Sequence, residues 1–217
     1  MTIEIEVAIA GAHGRVGLLL GRLLVEQGHT VLGLVRNPDQ EDDLHAVGVE
    51  PVLCDFEGDD DVAVAVAGVD AVVFAAGAGP GSGAARKRTM DFEGAVKLID
   101  AAGAEGIRRY VIVSAMGAAE PPAAGGDVAG EYLRAKSQAD LALRASGLDY
   151  TVVRPGMLSD DSGTGLVSVG EHLERGEVPR ADVAAMIAAV LVAPNAIGKT
   201  FDLVSGETPI ADAVASL

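Results

Sequence analysis

The chain has 217 residues, 49% hydrophobic and 22% charged, with one cysteine and no tryptophan: enough for one sizeable core, too little for two full domains. The lone Cys54 excludes an internal disulfide, and 32 acidic against 16 basic residues give a net charge of -16, which repels phosphate backbones and anionic lipid. Nucleic acid and membrane surfaces are therefore not expected as partners.

The longest apolar stretches, 62–78 and 183–197, are broken by Asp70 or by Pro194 and Asn195 and fall short of the roughly 20 apolar residues of a membrane span. Glu4 and Glu6 interrupt any apolar signal segment, which points to the cytoplasm. Acidic residues crowd 42–43, 59–61 and 160–161, and the only lysines are Lys87, Lys97, Lys136 and Lys199. That surface resembles a halophile's, where salt screens self-repulsion, although an ordinary acidic protein has a similar composition.

Along the chain, short β-rich apolar runs at 5–10, 30–35, 49–54, 71–75, 110–113, 150–153 and 200–204 alternate with helical patterns. The helical stretches are 15–27, 61–67, 89–104, 130–146 and 180–192, and Gly28, Gly106 and Gly147 stand where three of them should stop. Runs such as 71–75 lack polar alternation, as expected of strands covered on both faces. The fold class is α/β: a doubly wound parallel sheet of about seven strands, one domain over 1–217. A glycine-rich loop at 77–83 and an irregular stretch at 156–177 follow the fourth and sixth strands, and loops in those places commonly carry binding function. A small substrate-covering region is expected around 156–179 and in the C-terminal segment.

After the first strand comes Gly11-Ala12-His13-Gly14-Arg15-Val16-Gly17, leading into an apolar helix. Glycines in that place allow a tight turn and close approach of backbone to a pyrophosphate, while the helix N-terminus offers unpaired N–H groups to the anion. The second strand runs into Arg36, about 20 residues on, where a protein specific for NAD places a carboxylate on the ribose. A guanidinium there suits a 2′-phosphate, with Arg15 able to approach the same group, so NADP is expected over NAD. Asp55 either faces the adenine side of the cofactor or simply initiates a turn.

Tyr132 and Lys136, four residues apart in a helical stretch, share one face. They are either a surface pair or a catalytic one: a phenol is a poor acid–base group at neutral pH, and a nearby ammonium favours its ionised form. Such a phenol can protonate a carbonyl oxygen as hydride arrives from a nicotinamide. Ser114, after the fifth strand, either hydrogen-bonds the same oxygen or closes the strand.

Gly-Ala-His-Gly-Arg-Val-Gly, Arg36, the Val-Ser-Ala-Met-Gly run at 113–117, Tyr-x-x-x-Lys, Leu-Asp-Tyr-Thr-Val-Val-Arg-Pro-Gly at 148–156 and Pro-Arg-Ala-Asp-Val-Ala at 179–184 together resemble the atypical short-chain dehydrogenase/reductases. The likeness covers almost the whole chain. It implies a seven-stranded Rossmann sheet, a cofactor on Gly11, Gly14, Gly17 and Arg36, backbone contacts at Ala75, Ala76 and Gly77, and a Ser114, Tyr132, Lys136 set in which Lys136 also holds the nicotinamide ribose. His13, Arg15, Val16, Asp55, Phe56 and Pro155 complete the expected cofactor contacts; no metal is expected. His13 departs from the family's usual Thr or Ser, the Asn often found after the fourth strand is absent, and only about 60 residues follow Gly156.

The leading expectation is an NADP-dependent oxidoreductase reducing a carbonyl or conjugated double bond of a small molecule. The alternatives are a non-catalytic NADPH-binding redox sensor or assembly factor, and a nucleotide-sugar epimerase or dehydratase. A monomer or a homodimer paired through helices 89–104 and 130–146 is expected.

Overall fold

The computed structural model describes residues 4–79, 81–123 and 127–217. Its centre is a stack of parallel strands: β1 (Glu6–Ala10), β2 (Thr30–Val35), β3 (Glu50–Leu53), β4 (Ala71–Phe74), β5 (Arg109–Val113), β6 (Asp149–Pro155) and β10 (Lys199–Ser205). In space they run β10-β6-β5-β4-β1-β2-β3, every neighbouring pair parallel. The order reverses between β1 and β4, so a crevice opens beyond their carboxyl ends, where ligands bind in sheets of this kind.

Both faces of the sheet are covered. On one face, α1 (Arg15–Glu26), α2 (Glu41–His45), α7 (Arg180–Leu191) and α8 (Ile210–Ala215) meet Val7, Ile9, Val73 and Val111 in one core. On the other, α3 (Val62–Ala65), α5 (Ala95–Ala104) and α6 (Val128–Ala145) pack on Ala8, Ala10, Val72, Phe74 and Ile112. Every residue of β4 is buried, which is why its sequence shows no alternation. Each fully buried Val, Ile, Leu or Phe contributes about 1.5–3 kcal/mol, and these runs supply most of the driving force. Gly28, Gly106 and Gly147 end their helices at φ of 89°, 73° and 78°, the left-handed region in which glycine meets no Cβ penalty.

The sheet is wider than the seven strands expected. Antiparallel β8 (Leu166–Gly170) and β11 (Thr208–Pro209) extend it beyond β10 to nine strands. The stretch 156–177, expected to be irregular, contains β7 (Met157–Ser159) and β8, and β7 pairs with β9 (Glu177–Pro179) in a small parallel ribbon. These strands are two to five residues long and mostly exposed or half-buried, so they carry too little apolar pattern to show in sequence. Short α2 and α8 escaped the helical reading for the same reason.

Two helices also differ from expectation. The 61–67 stretch shrinks to α3, with Asp61 capping it by accepting from Ala63 N at 3.0 Å. The 89–104 helix begins earlier, as α4 (Ala84–Arg86), passes through a π-helical segment Lys87–Gly94, and only then becomes α5. Wide turns of this kind recur at functional sites.

At the end of the sheet away from the crevice, half-buried Arg109 staples three elements. It donates to the carbonyls of Leu191 and Val190 at the end of α7, to the Asp149 carbonyl and to Thr151 Oγ1, at 2.6–3.0 Å. Burial pushes its guanidinium down to about 10, only partly offset by Asp149.

Candidate functional site

The glycine turn leaves β1 and enters α1, and each of its glycines answers a different steric demand. Gly11 has φ +80°, and a Cβ there would stand 2.6 Å from the Ala76 Cα at the end of β4. A Cβ on Gly14 would meet the Gly11 carbonyl oxygen at 3.0 Å, and one on Gly17 would lie 2.7 Å from the Ala12 oxygen. Gly14 caps α1 without a side-chain hydrogen bond, and no acidic residue stands in its first turn. The helix therefore presents its N-terminal N–H groups and partial positive charge to the crevice with nothing of its own to neutralise them. His13 locks the turn to α2: the Gln40 amide meets Nδ1 at 3.0 Å and Asp43 Oδ2 lies 2.7 Å from Nε2.

Two cavities meet over this turn, sharing His13, Gly14, Ala75, Ala76 and Gly77. The smaller, about 250 Å³, runs past Gly11, Leu34, Arg36, Asp55, Phe56 and Arg86. The Arg36 side chain is 52% exposed and reaches Glu57 Oε2 at 3.3 Å. Glu57 also receives Arg86 at 3.0 Å and the Thr89 hydroxyl at 2.7 Å. Partial burial would raise the Glu57 carboxyl, but Thr89, Arg86 and Arg36 outweigh it and hold it below the usual range, so it stays ionised. Asp55 forms a turn, its Oδ1 accepting from Glu57 N at 2.9 Å, while still lining the cavity. Phe56 is buried edge-to-face on Phe74, with centroids 6.2 Å apart. Cys54 beside them is an inert thiol, raised to about 11 by burial first and then by Asp60 and Asp55.

The larger cavity, about 910 Å³, lies over β4, β5 and β6 and is lined by Arg15, Val16, Ser114, Tyr132, Lys136 and Pro155 among others. Helix α6, capped by Asp127 accepting from Gly130 N at 2.9 Å, turns Tyr132 and Lys136 inward on one face. Lys136 is buried; its Nζ donates to the Val113 carbonyl at 3.0 Å and lies 3.3 Å from Asp91 Oδ1 and 5.9 Å from the centre of the Tyr132 ring. Burial alone would lower its pKa, but Tyr132, Asp91 and Asp140 outweigh that and the net shift is upward, so the group is an ammonium. Ser114 Oγ is buried beside the Asp140 carboxylate, close enough to favour its charge but too poorly aligned for a full hydrogen bond. Asp140, one turn beyond Lys136, forms a buried ion pair with Arg154 at 2.9 Å. Burial raises its carboxyl in spite of Arg154 and Ser114.

The structure thus gathers the expected cofactor and catalytic residues along one groove, with two differences. Gly17 lines neither cavity and works by letting α1 pack close. Arg15, expected to approach the same phosphate as Arg36, faces the other cavity, where it pairs with Asp160 after β7. Asp91, Arg86 and Glu57 were not singled out in the sequence. Asp91 follows the fourth strand in a helix otherwise read as structural, and only the π-helical turn and the fold bring it to Lys136. Among the described residues no helix is long and apolar enough to cross a membrane, and no three His, Cys, Asp or Glu side chains gather as a metal site.

Comparison with known proteins identifies the family and the fold. A family model described as NAD(P)H-binding matches residues 11–194. The chain is 40% identical over 214 residues to YhfK of Bacillus subtilis, described as an uncharacterized sugar epimerase, covering 98% of this chain and 100% of that one. A Bacillus halodurans structure, provisionally named an NAD-dependent epimerase/dehydratase, is 40% identical and superposes with a TM-score of 0.92 over 98% of this chain and 100% of its own. ChuY of Escherichia coli O157:H7, an anaerobillin reductase, is 27% identical with a TM-score of 0.78, covering 92% and 97% of the two chains.

Proposed function

Because the chain belongs to the NAD(P)H-binding family, we propose that it is an NADPH-dependent oxidoreductase that reduces a carbonyl or conjugated double bond of a small molecule. The observation that carries this reading is the convergence of Ser114, Tyr132 and buried Lys136 on the wall of a cavity that continues into the glycine turn. The residues fit a dinucleotide: a turn a Cβ would fill, an uncapped helix N-terminus, and two arginines at the far end of the groove.

The bound cofactor supplies the hydride. Tyr132 donates its hydroxyl proton to the substrate oxygen as charge develops there, and the Ser114 hydroxyl, only poorly aligned on Asp140, turns to donate a second hydrogen bond to the same atom. Lys136, held between Val113 O and Asp91, stabilises the phenolate that proton transfer leaves and offers a donor to the cofactor ribose. Arg36 and Arg86 select the 2′-phosphate of NADP over the hydroxyl of NAD.

The test is turnover of NADPH with aldehydes, ketones, quinones and flavins by wild type and Tyr132→Phe. Loss of the acid lowers kcat about 10²–10⁴-fold while NADPH affinity is unchanged. Unaltered turnover in the variant refutes the assignment of the acid. An epimerase, the activity named for the Bacillus subtilis relative, takes a hydride from its substrate onto the oxidised cofactor and returns it within one cycle, so epimerised sugar formed with NADP⁺ and no net build-up of NADPH is the result that would favour it.

A further inference from the structure

The larger cavity is cationic in a chain whose acids outnumber its bases two to one. Arg15, Lys87, Lys136, Arg175 and Arg180 line it, and among the described residues Asp91 is the only carboxylate that does. Asp91 is committed to Lys136 at 3.3 Å, and Asp160 at the rim bridges Arg15 and Arg180. Five cations against two carboxylates leave an excess of three positive charges. Lys87 and Arg175 have no carboxylate partner among the described residues.

These two are placed to serve a substrate. Lys87 is the first residue of the π-helical segment; its Nζ donates to the Gly79 carbonyl at 2.9 Å and lies 5.1 Å from the centre of the Tyr132 ring, beside the proposed acid. Arg175 is exposed and makes no hydrogen bond or ion pair among the described residues; it belongs to the segment joined to β7 by the bond from Met157 N to Gly176 O at 2.9 Å. The same cavity is also lined by the apolar Met116, Leu133, Met157 and Leu158. An apolar body with a negative end matches both features.

We propose that the substrate is a carboxylate-bearing carbonyl or enone with an apolar body, its carboxylate held by Arg175 and Lys87 while its reducible group faces Tyr132. The word substrate rests on the oxidoreductase reading; the anion site does not. Arg175 forks onto the carboxylate in the bidentate manner of guanidinium groups, and Lys87 adds a point charge. The repulsion of anions by a net charge of -16 is long-ranged and screened by salt, whereas the cluster acts at contact distance.

The experiment uses the matched probes 4-carboxybenzaldehyde and methyl 4-formylbenzoate. Their binding is titrated on the NADP⁺-loaded protein and their reduction followed with NADPH. The acid binds about tenfold or more tightly than the ester, the effect of a charge-assisted hydrogen bond. That advantage disappears in Lys87→Ala/Arg175→Ala and shrinks in Arg175→Ala, an exposed site whose loss leaves the fold intact, while ester binding is unchanged. Equal binding of the two probes, no binding of the acid at millimolar concentration, or an advantage that survives the double variant overturns the proposal. Preferential binding of the acid with no NADPH consumed by either probe leaves the anion site standing and removes the oxidoreductase reading. Equal affinity and equal kcat/KM for both aldehydes does the reverse.

Discussion

Replacing Arg36 by alanine tests the proposal that the groove prefers NADP to NAD. Arg36 is half exposed, at 52%, and spends one arm on Glu57 at 3.3 Å, so the proposed contact with a 2′-phosphate would be neither fully desolvated nor undivided. A hydrogen bond to a charged group contributes about 1.5–3 kcal/mol; exposure and the shared carboxylate put Arg36 at the lower end, about 1.5 kcal/mol, or roughly tenfold in Kd. Arg86, held on the same Glu57 at 3.0 Å, keeps part of the attraction and sets a ceiling on the loss. Titration of cofactor fluorescence should show NADPH weakened about tenfold and NADH unchanged. Glu57→Gln acts in the opposite direction, because Glu57 is held ionised in the native protein and its removal frees both guanidinium groups. Equal weakening of the two cofactors in Arg36→Ala, or tighter NADPH binding, would refute the argument.

Three other outcomes follow from the same physics. Gly17→Ala places a methyl group 2.7 Å from the Ala12 carbonyl oxygen and 2.8 Å from its Cα, so α1 must shift and both dinucleotides lose affinity, with little selectivity between them; retained binding in calorimetry counts against the tight-turn reading. Cys54, with its thiol raised to about 11, stays protonated at pH 8 and becomes reactive only as pH climbs toward that value; rapid modification of the native protein by a thiol reagent at pH 8 contradicts its burial. With a net charge of -16, thermal stability rises as KCl shortens the screening length from about 30 Å at 0.01 M to about 3 Å at 1 M, and a flat melting profile over that range removes self-repulsion as a significant cost.

A buried carboxylate beneath the proposed acid is the least foreseeable part of the site. Asp91 Oδ1 has no aligned hydrogen bond, and among the described residues Lys136 is the one cation that balances it. Its other oxygen accepts from Ala78 N at 3.2 Å, tying the loop after β4 to the π-helical segment. A buried pair of this kind contributes little net stability, yet breaking it strands a charge. Its effect here is positional, fixing the Lys136 ammonium between the strand ends and Tyr132.

How much could be read beforehand follows from what local pattern encodes. Strands buried on both faces must be continuously apolar, helices must repeat near 3.6, and left-handed stops favour glycine; those demands act within a few residues, so the seven parallel strands and five main helices were visible in the order of amino acids. The spacing of the glycine turn and the four-residue step from Tyr132 to Lys136 were legible for the same reason. Pairings across the sheet were not. Lys136 meets Asp91, Arg36 and Arg86 share Glu57, and Arg15 and Arg180 clasp Asp160, in each case between residues far apart along the chain. Nothing in their neighbourhoods distinguishes these charges from solvated ones. Only tertiary packing brings them within bonding reach: α6 against the π-helical segment for Lys136 and Asp91, the ends of β2 and β3 for Arg36 and Glu57, and the starts of α1 and α7 against the residue after β7 for Arg15, Arg180 and Asp160. This packing makes the groove cationic in an acidic protein.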